Sequence, residues 1–133
     1  SKLRAEGFDC EPTTLAPHGI RLKKREAIFA SPLFKQGYFE MQDEGSQAVA
    51  YLADARPGHK VIDFCAGAGG KTLAMAADMQ NKGRMYAFDT SAKRLSQLPL
   101  RLRRAGVFNT EWRVITSETD SYLKRHKQTA DRV

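Results

Sequence analysis

Short apolar runs alternate with longer amphipathic stretches through the second half of the chain. Residues 61–64 (VIDF), 85–88 (MYAF) and 112–115 (WRVI) have the length and composition of β-strands that are at least partly buried. The stretches between them, from residue 71 to about 79 and from about 91 to 105, repeat apolar positions at helical spacing. Strands that alternate with helices are typical of an α/β domain built on a parallel sheet.

The second of these predicted helices contains a proline. Thr90 or Ser91 is a suitable N-cap, and Gly106 is a suitable C-cap. Pro99 lies between them, and because it lacks an N–H and crowds the preceding turn, we expect a kink that costs about 3 kcal/mol unless its surroundings absorb the loss. Beyond the third strand, residues 121–126 predict a short helix, and Arg132 and Val133 would begin a fourth strand.

The first sixty residues predict a small N-terminal α+β appendage, followed by a helix that leads into this domain. Residues 10–17 contain two prolines and two threonines and are expected to be extended. Residues 19–23 alternate apolar and charged side chains, as an exposed strand does, and residues 38–41 (YFEM) predict another short strand. Asp43 can cap a helix that continues to about Ala53, before Pro57 and Gly58 end it.

Composition indicates one domain of ordinary size with a basic surface. The chain has 133 residues, of which 41% are hydrophobic, enough to form a core. Its net charge of +7 makes a polyanionic partner plausible, although a basic protein without such a partner has the same charge. No apolar run approaches the roughly 20 residues that span a membrane, and the first residues do not resemble a signal peptide. We therefore expect a cytoplasmic protein.

The few cysteines and histidines predict neither a disulfide framework nor a metal site. Cys10 and Cys65 are the two cysteines, which suits a reducing compartment. His18, His59 and His126 are far apart in the sequence and have no carboxylate or cysteine at metal-ligand spacing. Cys65 has no neighbouring base that would activate it as a nucleophile, so we interpret it as a small packing residue.

A glycine-rich segment follows the first predicted strand directly. Gly67, Gly69 and Gly70 lie between that strand and a helix that opens with Lys71 and Thr72. Glycines permit a sharp turn and a close approach of the backbone to a ligand, and the free N–H groups of the helix N-terminus favour an anionic group. This pattern predicts a loop that binds a nucleotide-like ligand.

Two nucleotide-binding motifs nearly match this segment. A phosphate-binding P-loop would end in Gly70, Lys71 and Thr72, but its first glycine would fall on Cys65. A dinucleotide fingerprint would have its third glycine at Thr72. Neither motif explains Asp89, which follows the second strand, where a carboxylate can accept hydrogen bonds from two ribose hydroxyls. NAD and S-adenosylmethionine both contain such a ribose.

At this point the sequence resembles a known family. Residues 63–72 (DFCAGAGGKT) are similar to the first motif of the Sun/RsmB family of RNA cytosine-C5 methyltransferases, D-x-C-A-(A/G)-(P/A)-G-G-K-T. The resemblance continues through residues 88–89 and 94–95 to the Leu-x-Arg-Ala-Gly segment at 102–106. Upstream, residues 39–47 (FEMQDEGSQ) are similar to the family's F-x-x-Q-D-x-x-S-Q segment. The matches occur in order over roughly residues 15–106.

The resemblance implies an incomplete Rossmann-like class I methyltransferase fold that contains strands one to three and binds S-adenosyl-L-methionine. Residues 1–42 would form an appendage that links to an RNA-facing module, and residues 43–133 the N-terminal half of the cofactor-binding domain. Asp63 would orient the loop or the cofactor's ammonium group, or have a structural role only. The residues that the resemblance assigns to the cofactor are Cys65, Ala66, Gly67, Ala68, Gly69, Gly70, Lys71, Asp89 and Arg94.

The resemblance also implies which residues are absent. In the family, one cysteine adds to C6 of the target cytosine and a second assists release, and these cysteines lie in D-A-P-C and T-C motifs. Neither motif occurs in this sequence, so we expect no catalytic residue in the chain and no activity of the chain alone. The family usually has an acid after the third strand to meet the adenine. Here Thr116 and Ser117 occupy that place, so either Glu118 or Asp120 substitutes or the contact is absent.

Three basic clusters, around residues 21–25, 93–104 and 124–127, are candidates for contact with RNA phosphates, or they are ordinary solvated surface. Arg94 could reach the ribose or pair with a carboxylate. A P-loop-like nucleotide-binding protein, with magnesium on Thr72, and a non-catalytic RNA-binding module stay open as alternatives.

Without a fourth strand, the first strand would leave an apolar edge open, which predicts self-association or marginal stability.

Overall fold

The computed structural model describes all residues from Ser1 to Val133. At its centre is a parallel sheet of three strands in the order β3–β4–β5, comprising β3 (Lys60–Asp63), β4 (Arg84–Asp89) and β5 (Thr110–Val114). Ile62 is paired with Tyr86, and Phe88 with Arg113. These strands coincide with the three predicted apolar runs within two residues at each end, which confirms the α/β architecture.

Helices cover one face of this sheet. Helix α4 (Gly70–Met79) connects β3 to β4, while α5 (Ala92–Leu95) and α6 (Leu98–Ala105) connect β4 to β5. Their apolar faces form one core cluster with Ala87, made of Ala66, Leu73, Leu95, Leu98 and Leu102. A second cluster, which includes Val61, Met75, Met79 and Met85, joins α4 to the preceding helix. Met75, Met79 and Met85 thus fill the core.

The expected kink at Pro99 is replaced by a break between two helices. Ser91 caps α5 by accepting a hydrogen bond from the Arg94 N–H, and α5 ends at Leu95. Pro99 then lies in the first turn of α6, where the backbone N–H has no intrahelical acceptor in any case. The prediction of one continuous helix was therefore wrong, because a proline is more stable at a helix start than within a helix.

The N-terminal segment is a chain of short elements. It contains α1 (Lys2–Ala5), the antiparallel pair β1 (Cys10–Pro12) and β2 (Ile20–Leu22), a 3₁₀ turn (Ile28–Ala30), α2 (Pro32–Lys35) and α3 (Glu44–Leu52). Asp43 caps α3 as predicted, accepting hydrogen bonds from the N–H groups of Gly45 at 2.9 Å and Ser46 at 3.3 Å. Helix α3 packs against α4. None of the helices is long and apolar enough to cross a membrane.

Residues 38–41 do not form the predicted strand. They have no neighbouring strand to pair with, and the Glu40 side chain instead pairs with Arg101 and Arg104 on α6. Gly37 touches the backbone of α6 so closely that a Cβ at this position would lie 1.9 Å from the Arg104 carbonyl oxygen. The prediction of a strand here was therefore wrong, because this segment contacts a helix and not another strand.

The other face of the sheet carries an aromatic cluster. The predicted helix at residues 121–126 is a 3₁₀ helix (Ser121–His126), and it places Tyr122 and His126 against Tyr86 and Phe88. The imidazole of His126 is buried, and neither of its nitrogens has a hydrogen-bond partner. Burial and the nearby charges of Lys60 and Arg125 lower the pKa of His126.

The free edge of β3 is covered at one end only. Arg132 forms a single parallel bridge with Val61, and the Ile62 N–H donates to the Arg132 carbonyl at 3.0 Å. The Asp131 carboxylate accepts a hydrogen bond from the Lys60 N–H at 2.8 Å. The predicted fourth strand is thus present as one bridge, and self-association through this edge stays a prediction.

Candidate functional site

Two glycines of the loop between β3 and α4 have left-handed backbone conformations. Gly67 and Gly69 have φ angles of +54° and +100°, which side-chain-bearing residues rarely adopt. A Cβ on Gly69 would also lie 2.4 Å from Cδ1 of Leu98, which is fully buried. The loop is therefore pressed directly against α6, and α4 begins immediately after it.

Several backbone N–H groups in this loop have no acceptor. The N–H groups of Gly70, Lys71 and Thr72 form the first turn of α4, where no side chain caps them, and the N–H of Ala68 is also unpaired. Thr72 is fully buried, so the donors that can meet a ligand are the N–H groups of Ala68, Gly70 and Lys71. Together with the positive end of the helix dipole, they favour an anionic group such as a carboxylate. The loop has the donor set that the sequence predicted.

Asp63 holds the loop to the end of β3. One carboxylate oxygen accepts a hydrogen bond from the Cys65 N–H at 3.2 Å, and the other accepts one from the Thr72 hydroxyl at 2.7 Å. Thr72 is fully buried. Of the roles left open for Asp63, the geometry shows that of a loop anchor, and it identifies Thr72 as its partner.

Asp89 connects the loop to the end of β4. Its carboxylate is 8% exposed and accepts hydrogen bonds from the Gly67 N–H at 2.9 Å and the Ser91 N–H at 2.7 Å. A carboxylate offers about four lone-pair sites, so two remain for a ligand. Asp89 therefore lies beside the glycine loop, and it can accept further hydrogen bonds from two neighbouring hydroxyl groups.

The other predicted residues differ in how they contribute. Ala66 is buried in the core under the loop, and Cys65 is an exposed free thiol. Lys71 is exposed, and its Nζ lies 3.4 Å from the Ser46 hydroxyl on α3. Arg94 is exposed and has neither an ion pair nor a side-chain hydrogen bond, so it does not pair with a carboxylate.

Sequence reasoning missed an ion-pair cluster that holds the loop from the other side. Arg101 on α6 donates to the Ala68 carbonyl at 2.8 Å and to Glu40 at 3.1 Å, and Arg104 also pairs with Glu40. The guanidinium of Arg104 lies over the ring of Phe34. Because Glu40 is about sixty positions away in sequence, no local pattern could reveal this contact. Two arginines of the cluster at 93–104 are thus used within the fold.

The turn after β5 uses one of the two candidate acids internally. Asp120 accepts hydrogen bonds from the N–H and the hydroxyl of Thr116, at 2.8 and 3.1 Å, and from the Tyr122 N–H at 2.9 Å. These hydrogen bonds lower the pKa of the Asp120 carboxyl. Glu118 is exposed. No group of three or more His, Cys, Asp or Glu side chains is arranged to hold a metal ion.

Comparison with known proteins gives consistent matches. The family model described as "16S rRNA methyltransferase RsmB/F" matches residues 50–133. A 28S rRNA (cytosine-C(5))-methyltransferase from Mus musculus is 36% identical over 105 residues, which cover 79% of this chain and 22% of that protein. The chain spans about a fifth of the length of the curated relatives it matches.

Two solved structures have the same arrangement of elements. A methyltransferase homolog protein from Pyrococcus horikoshii has a TM-score of 0.80 and 32% sequence identity, over 94% of this chain and 40% of that one. NSun6 from Pyrococcus horikoshii, solved with SFG, has a TM-score of 0.65 and 28% identity, over 73% of this chain and 26% of that one.

Proposed function

This chain belongs to the RsmB/F family of rRNA methyltransferases, and we propose that it provides the cofactor-binding half of an RNA (cytosine-C5) methyltransferase. The cofactor would be S-adenosyl-L-methionine. Its binding site would comprise the loop residues Cys65 to Lys71 together with Asp89 and Arg94. The division between an appendage (residues 1–42) and the cofactor domain (residues 43–133) is part of the same proposal. NSun6, solved with SFG, an S-adenosylmethionine analogue, supports this choice of cofactor.

The observation that carries this proposal is the contact between Asp89 and Gly67. It puts a carboxylate with spare acceptor sites beside a loop that has three unpaired N–H donors on residues that are not buried. The unpaired donors of the loop and the N-terminus of α4 would hold the carboxylate of the cofactor's amino-acid end. Asp89 would accept hydrogen bonds from the two ribose hydroxyls. These residues fit the cofactor at both of its polar ends.

The bound cofactor would supply an electrophilic methyl group to the target cytosine. The residues of this chain would bind and orient that cofactor, and we assign none of them to catalysis. Cys65 is exposed in the loop without a hydrogen-bonding base, and Cys10 is buried against the N-terminal segment. Both cysteines are free thiols, which supports the reducing cytoplasm as the proposed compartment.

The P-loop alternative is weakened by Thr72. In that alternative the hydroxyl would bind a magnesium ion beside the phosphates. Here it is fully buried and donates to Asp63, so it is turned away from the loop's open donors. With Cys65 in place of the first glycine, both distinguishing positions argue against phosphate binding of that type.

RNA contact would involve the basic residues that have no acidic partner. Arg21 and Lys23 pair with Glu11, and Arg101 and Arg104 pair with Glu40, so they contribute little free charge. Two groups of cations without an ion pair remain exposed. The first is Lys93, Arg94 and Arg103 on α5 and α6; the second is Lys124, Arg125 and Lys127, beside Arg113. Arg113 and Arg125 lie over the Tyr122 ring, 4.0 and 4.4 Å from its centroid.

Calorimetric titration with S-adenosylmethionine, and separately with magnesium-ATP, tests this proposal. We expect saturable binding of S-adenosylmethionine that is unchanged by EDTA, and no binding of magnesium-ATP. Binding of magnesium-ATP alone would favour the P-loop alternative. Binding of RNA, weakening steeply with salt, without any affinity for S-adenosylmethionine would favour a non-catalytic RNA-binding module.

A further inference from the structure

Both polar groups of the peptide between Ala68 and Gly69 form hydrogen bonds. Its N–H donates to the Ala66 carbonyl at 2.9 Å, and its carbonyl accepts the hydrogen bond from Arg101 at 2.8 Å. Because the peptide group is planar, these two bonds together fix its orientation. The unpaired N–H groups of Ala68 and Gly70 lie on either side of this peptide, so their directions depend on it.

Arg101 is itself held by a residue of the N-terminal segment. Glu40 accepts hydrogen bonds from Arg101 and from Arg104, and all three side chains are only about 20% exposed. Charge-assisted hydrogen bonds in such partly buried positions are stronger and less screened than surface pairs. Glu40 therefore determines where the Arg101 guanidinium can lie.

The segment that carries Glu40 is fixed on both sides of it. Gly37 packs directly on the Arg104 carbonyl, and the Gln42 side chain lies against Gly70 at the start of α4. The Nε2 of Gln42 is buried there without a hydrogen-bond partner. Residues 37–42 thus contact α6 and the first residue of α4, the two helices on either side of the loop.

We propose that Arg101 is a positioning residue of the cofactor loop and that Glu40 couples the N-terminal segment to it. The identity of the ligand rests on the proposed function, whereas the coupling between residues 37–42 and the loop does not. A displacement of residues 37–42 would release Arg101, free the Ala68 carbonyl and disorder the donors that face the cofactor. By linkage, the bound cofactor would in turn strengthen the attachment of residues 37–42.

The test uses Arg101→Met, Arg101→Lys and Glu40→Gln, with Arg84→Met as the matched control. Arg84 forms an exposed ion pair with Glu111, far from the loop in the fold. Amide hydrogen exchange of Gly69, without cofactor, measures the order of the loop, and calorimetry measures the affinity for S-adenosylmethionine. Thermal melting reports overall stability, so that a general loss of stability can be separated from a local one.

We expect Arg101→Met to speed exchange at Gly69 about tenfold and to weaken cofactor binding about tenfold, with smaller effects in the same direction for Glu40→Gln. Arg101→Lys keeps the charge but replaces the planar guanidinium, whose two terminal nitrogens each contact one partner, by a single ammonium nitrogen, so it should also loosen the loop. Arg84→Met should change neither measurement. Gly69 exchange that follows only the global melting temperature in every variant would overturn the proposal. If the wild type does not bind the cofactor, the exchange data still decide whether the coupling exists.

Discussion

At the residue scale, two aspartates shape the site. Asp63 and Asp89 each follow a strand, and each accepts hydrogen bonds from two groups on different parts of the loop region. Such side-chain acceptors replace the backbone partners that the loop lacks. Asp63 joins the Cys65 N–H to the Thr72 hydroxyl, whereas Asp89 joins the loop at Gly67 to Ser91 after β4. The two carboxylates therefore hold the loop region from the ends of two neighbouring strands.

His126 gives a prediction about pH at the same scale. Its imidazole packs against Tyr86 at 4.4 Å between ring centroids and lies close to Lys60 and Arg125, with Glu111 the acid that opposes them. Because the pKa of His126 is lowered in the folded state, the unfolded chain binds a proton more readily below its ordinary pKa of about 6.5. We expect the free energy of unfolding to fall as the pH decreases from about 6.5, and to be undiminished above that value.

Urea unfolding at pH 5.0 to 8.0 checks this for His126→Phe and for the control His18→Gln. The phenylalanine variant should lose much of the stability difference between neutral and acidic pH. His18 is exposed, so its replacement removes an ionisable group while leaving the aromatic cluster intact. The free energy of unfolding of His18→Gln should therefore still fall at acidic pH. An equal pH dependence in wild type and His126→Phe would contradict this account of His126.

At the element scale, the position of the loop depends on its packing against α6. Gly69 has no room for a side chain because Leu98 lies beneath it. We expect Gly69→Ala to destabilise the fold by about 2–4 kcal/mol, the sum of a positive φ for alanine and a clash within a buried contact. The unfolding midpoint in urea, at an unchanged slope, measures this cost.

Gly58→Ala is a close control for that substitution. Gly58 has a similar φ of +88°, but a Cβ there would have no atom within 4 Å. Gly58→Ala should therefore lower the free energy of unfolding only by the cost of a positive φ for alanine, about 1 kcal/mol. Equal costs for the two variants would mean that the contact between the loop and α6 is looser than described.

Sequence patterns revealed the elements better than their contacts. The three strands and α4 follow from apolar periodicity, and the glycine loop follows from local spacing. The prediction of one kinked helix failed because the effect of Pro99 depends on whether a helix begins or continues there, and periodicity does not distinguish the two. Residues 38–41 were expected to form a strand, but local pattern does not specify whether a strand or a helix lies beside them. The contact of Glu40 with Arg101 is decided by tertiary packing alone.

At the scale of the whole molecule, the helical face of the sheet and the N-terminal segment enclose the loop, while both outer strands keep exposed groups. On β5, Trp112 and Val114 are each 46% exposed, and β3 is bridged only at Arg132. Exposed strand edges with apolar side chains favour pairing between molecules. Self-association is therefore expected to compete with the monomer, and it would leave the loop and Asp89 accessible because these lie at the ends of the strands.

The central claim is that the glycine loop and Asp89 together bind S-adenosylmethionine. The most direct test is calorimetric titration of that ligand into the wild type, Asp89→Ala, Asp89→Asn and Asp9→Ala. Asp9 is an exposed acid outside the loop, so its replacement removes the same charge and leaves the site intact. Circular dichroism of each variant establishes that the fold is retained.

We predict that the wild type and Asp9→Ala bind with equal affinity. Asp89→Ala removes hydrogen bonds to a charged acceptor that are each worth about 1.5–3 kcal/mol, so its affinity should fall by on the order of 100-fold. Asp89→Asn, which keeps one acceptor oxygen, should lie between them. Binding by folded Asp89→Ala as tight as that of the wild type would contradict the claim, because the ribose would then be held elsewhere.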